Sequence, residues 1–72
     1  MLWELRGGSG LLVSCVVYHV GDGRQLNLES PTKKMILRTR LFPMVGDALK
    51  DTANEWKRDL LSKGFIYWHE PV

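Results

Sequence analysis

The sequence predicts an α+β fold: a small antiparallel sheet of three to five strands in meander order, with one long amphipathic helix packed on one face. Three observations carry this. Strand-like stretches come first in the chain, residues 44–63 then carry apolar side chains at helical spacing, and an aromatic run at residues 65–68 follows at once. Residues 1–72 form a single domain on this reading. A domain this small hides only about 60% of the surface its unfolded chain exposes. Three Trp, two Tyr and two Phe help, since each buried ring removes roughly 150–250 Å² from water.

Taken in order, Leu2 to Arg6 alternates weakly and reads as a short edge strand. Gly7, Gly8, Ser9 and Gly10 make a loop; a phosphate cradle would need a Lys-Ser/Thr pair and a following helix, and here a strand follows. Residues 11–20 are rich in β-branched side chains with apolar positions on both faces, the pattern of a central strand. Asp22-Gly23 is a hairpin signal. A two-residue loop there puts Val13, Cys15 and Val17 with Leu26, and a three-residue loop with Gly23 left-handed would put Val16 and Tyr18 there instead. The first is preferred because it leaves Ser14 and Tyr18 on the polar side.

Residues 24–29 alternate, with Leu26 and Leu28 facing one way and Gln25, Asn27 and Glu29 the other. Pro31 supplies the fixed φ of a turn over residues 30–33, and a third strand follows over residues 34–42. Closing that turn pairs Glu29 with Lys34, Asn27 with Ile36 and Gln25 with Arg38, and gathers Leu26, Leu28, Met35 and Leu37 on the opposite face. Pro43 ends the strand, and a helix begins within residues 43–47. Val45, Leu49, Thr52, Ala53, Trp56 and Leu60 form its apolar stripe. About nineteen helical residues would make a rod of roughly 28 Å. Gly64 is the expected left-handed stop, with Phe65 or Ile66 packing back on the helix, and residues 65–69 are a final short strand.

A formal charge of +2 with both signs interspersed permits an acidic partner without requiring one. Cys15 is the single cysteine, so no internal disulfide forms and a reducing, cytoplasmic setting is expected. Glu4 interrupts what would be the apolar stretch of a leader, and residues 11–20 are too short to span a bilayer, so no membrane partner is expected.

Candidate chemistry is sparse. His19 and His69 sit at strand ends, and Cys15 lies four residues before His19, a spacing that matches no zinc motif. Cys15 is flanked by valines, the setting of a small buried hydrophobe. Asp47, Asp51, Glu55 and Asp59 alternate with Lys50, Lys57 and Arg58, as on a solvated helix face. The expectation is therefore a protein without catalytic residues, metal or cofactor.

Two features point to binding. Lys34, Arg38 and Arg40 are spaced by even numbers, so they project from one strand face, which in the preferred register also carries Tyr18. Residues 11–20 and 65–68 are apolar on both sides, yet one helix covers only one side of a sheet. Tyr18, Lys34, Arg38 and Arg40, together with Trp68, are the expected partner-binding residues. The expected function is a non-catalytic regulatory or inhibitory module that docks on a protein through the uncovered face. The alternatives are nucleic-acid binding by the basic strand, whose cations could track phosphates, and a homodimer through the apolar patch.

Overall fold

The computed structural model describes the backbone of residues 1–69 and the side chains of residues 1–67. The elements run β1 (Trp3–Arg6), β2 (Leu12–Val20), β3 (Gly23–Ser30), β4 (Met35–Pro43), α1 (Ala48–Ser62) and β5 (Ile66–His69). The strands form one antiparallel sheet in the order β4-β3-β2-β1-β5. The first four make a meander, and α1 carries the chain from the β4 edge back to the opposite edge. The expected α+β class is thus the observed one. One placement changes: β1 lies inside the sheet between β2 and β5, because β5 pairs with it rather than with β2.

The core is one face of this sheet under the helix. Trp3, Leu5, Val13, Cys15, Leu26, Leu28 and Phe42 meet Leu49, Ala53 and Leu60 of α1, with Trp56, Leu61 and Phe65 packed around them. Every second residue of a strand shares a face, so the pairings Cys15↔Leu28 and Val17↔Leu26 put both leucines with the valines. The preferred face assignment for this hairpin is therefore the observed one. Its loop is Gly21-Asp22 rather than Asp22-Gly23, since Val20 pairs with Gly23. Gly21 takes a φ of +55°, the first-position requirement of a type II′ hairpin turn. Gly23 is instead a ladder residue whose Cβ, were it present, would lie 2.7 Å from the Phe42 carbonyl oxygen. Moving the loop by one position shifts every pairing by two, which leaves the faces unchanged.

The β3–β4 hairpin departs from expectation more seriously. Ser30 pairs with Met35 and Glu29 with Ile36, but a bulge follows, and beyond it Leu28 pairs with Arg38, Asn27 with Thr39 and Leu26 with Arg40. Leu37 is the extra residue. One inserted residue sends everything after it to the other side. Arg38, Arg40 and Phe42 consequently lie on the helix side, and Thr39 and Leu41 on the uncovered side. The trade follows from size: Phe42 becomes 6% exposed while Leu41 is left 72% exposed. The larger apolar ring is the one taken out of water.

Helix α1 is shorter than its periodicity suggests. It has 15 residues, about 22 Å, and starts at Ala48 rather than within residues 43–47. Gly46 has a φ of +111°, and Arg24 ties this connection down by donating from Nε to the Pro43 carbonyl (2.9 Å) and from Nη2 to the Gly46 carbonyl (3.1 Å). Val45, expected in the apolar stripe, is 81% exposed outside the helix. Leu49, Thr52, Ala53 and Leu60 are buried as their spacing predicts. At the other end Gly64 has a φ of +97°, and the amides of Gly64 and Phe65 donate to the carbonyls of Leu61 (3.2 Å) and Leu60 (3.1 Å), a Schellman stop.

Candidate functional site

The uncovered face is assembled from alternate residues of all five strands. The pairings Ser14↔Glu29, Val16↔Asn27 and Tyr18↔Gln25 align β2 with β3 on this side. Asn27↔Thr39, Gln25↔Leu41 and Glu29↔Ile36 add β4, while Glu4↔Ser14 and Arg6↔Ile66 add β1 and β5.

The centre of the face is a closed polar network. Glu29 accepts from Tyr18 Oη at 3.0 and 3.1 Å and from Asn27 Nδ2 at 3.1 Å. Asn27 Oδ1 accepts in turn from Thr39 Oγ1 at 2.6 Å and Gln25 Nε2 at 2.9 Å. Nearby, Ser14 Oγ donates to Glu4 at 2.7 Å. Asn27 is 3% exposed, so an unmet amide there would be costly, and the three neighbours meet it. The Glu29 carboxylate holds the Tyr18 proton and pushes that phenol above its ordinary range; burial and the nearby negative charge add to the effect.

Around this network stand exposed apolar side chains, with the exposed Arg6 beside Ile66. Tyr18, Val20, Ile36, Leu41 and Ile66 are all exposed on this side, with Leu2 at its margin. The polar centre turns donors of Tyr18, Asn27, Gln25 and Thr39 on its own acceptors, and exposed ring and methyl groups stand around it. A cavity of about 290 Å³ opens at one corner, between Glu29, Ser30, Pro31, Lys34, Met35 and Ile36.

Of the residues expected to bind a partner, Tyr18 alone is found on this face with its side chain described. Lys34 is exposed in the β3–β4 turn, held at a left-handed φ of 52°, and does not extend the strand. Arg38 is on the helix side, its Nη2 2.7 Å from Asp59 Oδ2, where Lys63 Nζ also reaches at 3.2 Å. Arg40 is on that side too, its guanidinium 5.3 Å from the Phe42 ring centroid. The single-face grouping of Lys34, Arg38 and Arg40 with Tyr18 is thus overturned, and the bulge at Leu37 is the reason. The side chain of Trp68 lies outside the described residues. Leu41 and Ile66 were not singled out by pattern. The signal for Leu41 was its neighbour: a buried Phe42 forces Leu41 outward.

Of the other groups, Cys15 sits in the core and the two histidines lie on separate strands. Cys15 is fully buried, and desolvation pushes its thiol up to about 12, far from a thiolate at neutral pH. His19 stands opposite Arg24, and β5 is separated from β2 by β1, so the backbone does not place the two histidines on neighbouring strands. Among the described residues no cluster of three or more metal-ligating side chains occurs, and no helix is long and apolar enough to cross a membrane. No known protein family, curated protein or solved structure matches the chain.

Proposed function

We propose that the chain is a non-catalytic regulatory or inhibitory module that docks on another protein through the uncovered sheet face. One observation carries the reading: Tyr18, Val20, Ile36, Leu41 and Ile66 stand exposed around a polar centre already satisfied by its own hydrogen bonds. An apolar patch with an aromatic anchor gains by excluding water against a protein surface, and the donors of Tyr18, Asn27 and Thr39 are already matched, so the partner has to supply a donor or cation only to the Glu29 carboxylate. The nucleic-acid reading drew on three cations beside Tyr18 on one face. With Arg38 bonded to Asp59 and Arg40 stacked on Phe42 across the sheet, that arrangement lends it no support.

The test is capture from host extract by the tagged chain, with and without nuclease, using wild type, a Tyr18→Ala/Leu41→Ser variant and the helix-face variant Arg58→Ala. The expected result is a nuclease-resistant protein partner retained by wild type and Arg58→Ala and lost by the face variant. Equal retention by all three rejects the face as the docking surface. Loss on nuclease treatment, with affinity falling steeply in salt, restores the nucleic-acid alternative.

A further inference from the structure

We infer that the free edge of β4 accepts an extended acidic segment of a partner protein as a sixth strand. The inference rests on the reading of a protein partner and assigns to it a second contact, distinct from the face.

Strand β4 ends the sheet on one side. The bulge at Leu37 leaves a regular edge over residues 38–43 of the strand's nine, about 20 Å, whereas β5 at the other edge has four residues. An edge strand turns every other amide and carbonyl away from the sheet, and these are a template for another chain. Among the described residues, no backbone–backbone hydrogen bond outside the strand ladders and helix involves β4, whose Pro43 carbonyl accepts from Arg24 Nε.

The chemistry along this edge differs between its two sides. Arg38 and Arg40 line the helix side, Lys33 and Lys34 precede the strand, and β4 contains no acid. Asp59 and Phe42 engage the two arginines, but Arg40 remains exposed. On the uncovered side Ile36 is 56% and Leu41 72% exposed. A strand laid against β4 meets positive charge on one side and apolar groups on the other.

This pattern disfavours a second copy of the chain. Side chains directly opposite one another in an antiparallel pair share a face. A two-fold axis at Thr39 would oppose Arg38 to Arg40 twice, and an axis at Arg38 or Arg40 would oppose that arginine to itself. An axis at Leu41 avoids this, but it pairs only residues 39–43 and puts Pro43 in the ladder, where it has no N–H to give, and an axis at Ile36 or Leu37 falls on the bulge and pairs residues 35–39 at most. A foreign strand with acids at alternate positions meets no such repulsion: its carboxylates lie beside Arg38 and Arg40, and its apolar residues continue the Ile36 and Leu41 side.

Two blocked peptides, Thr-Val-Glu-Val-Glu-Val-Thr and Thr-Val-Lys-Val-Lys-Val-Thr, are titrated into the ¹⁵N-labelled full chain. The acidic peptide is expected to shift the β4 amides and slow their hydrogen exchange, binding about tenfold or more tightly than the lysine peptide. Arg40→Gln should remove that preference and Arg40→Glu reverse it, in each case with the dispersed spectrum of the folded chain. Tyr18→Ala should leave the peptide response intact. Equal binding of both peptides, no response at β4, or shifts confined to the uncovered face overturn the inference. So does concentration-dependent broadening of β4 without peptide, which would identify a second copy as the occupant. Loss of the peptide response while face-dependent capture persists removes the edge contact alone, and the converse removes the face alone.

Discussion

On the helix side of the sheet, Leu5, Val13, Cys15 and Leu26 are wholly withdrawn from water, while on the uncovered side Tyr18, Val20 and Leu41 stay open to it. The two sides share a backbone and differ in what closes them. The helix closes one by packing, through Leu49, Ala53 and Leu60. Hydrogen bonds among Gln25, Asn27, Glu29, Thr39 and Tyr18 close the centre of the other, and leave its margin bare. Packing is non-directional and scales with area, whereas a polar network needs geometry and satisfies only itself. A side built the second way can be stable and still present apolar surface to a partner.

The sharpest way to break this contrast is to remove the ring that the bulge puts under the helix. Phe42→Ala should cost about 3–5 kcal/mol, read from the shift in denaturant midpoint, whereas deleting Leu37 joins Ile36 to Arg38, keeps the pairings Glu29↔Ile36 and Leu28↔Arg38, and should leave every face as it is. A Leu37 deletion as damaging as Phe42→Ala would mean that Leu37 is not the extra residue. Next, Leu26→Ala should lose about 2–5 kcal/mol, and Leu41→Ala on the other side should stay within about 0.5 kcal/mol of wild type. Similar losses at both would erase the distinction between core and bare face.

The network itself is probed by Asn27→Ala, which strips a partner from Glu29, Gln25 and Thr39. It should cost about 1–3 kcal/mol by equilibrium denaturation. The smallest effects come from the two titrating links, and they separate by pH. Arg38, and after it Lys63, hold the Asp59 carboxyl below its ordinary range. Its contribution is therefore complete above the unfolded carboxyl value of about 3.9 and fades as pH falls through the lower folded value. The stability gap between wild type and Asp59→Asn should close in acid. Tyr18 is shifted upward, so its contribution is complete below the unfolded phenol value of about 10 and fades as pH rises through the folded one. The gap between wild type and Tyr18→Phe should close in alkali instead. Urea denaturation across pH measures both, and closure of both gaps at the same end of the scale would contradict the assignment.

Much of the fold was legible because its signals are local. Leu49, Thr52, Ala53 and Leu60 follow helical spacing and are buried, and Gly64 stops the helix in the left-handed conformation expected of it. Leu26 and Leu28 alternate with polar neighbours and face the core. Periodicity alone places the helix start too early because Val45 fits the period, whereas Gly46 and the carbonyls held by Arg24 make that stretch a turn. The site was half legible. Tyr18 lies where alternation puts it, but the arginines do not.

By itself, then, the sequence determined the α+β class, the helix with its apolar stripe from Leu49 to Leu60 and its Gly64 stop, the strand-forming stretches, and the existence of a sheet face that one helix cannot cover. Each is a matter of period, propensity or a count of apolar sides. Tertiary structure alone decided which residues of β4 occupy that face. A bulge costs one residue and leaves no mark in the alternation before it. It forms because Phe42 gains more under the helix than Leu41 would, a comparison that exists only once α1 lies across the sheet.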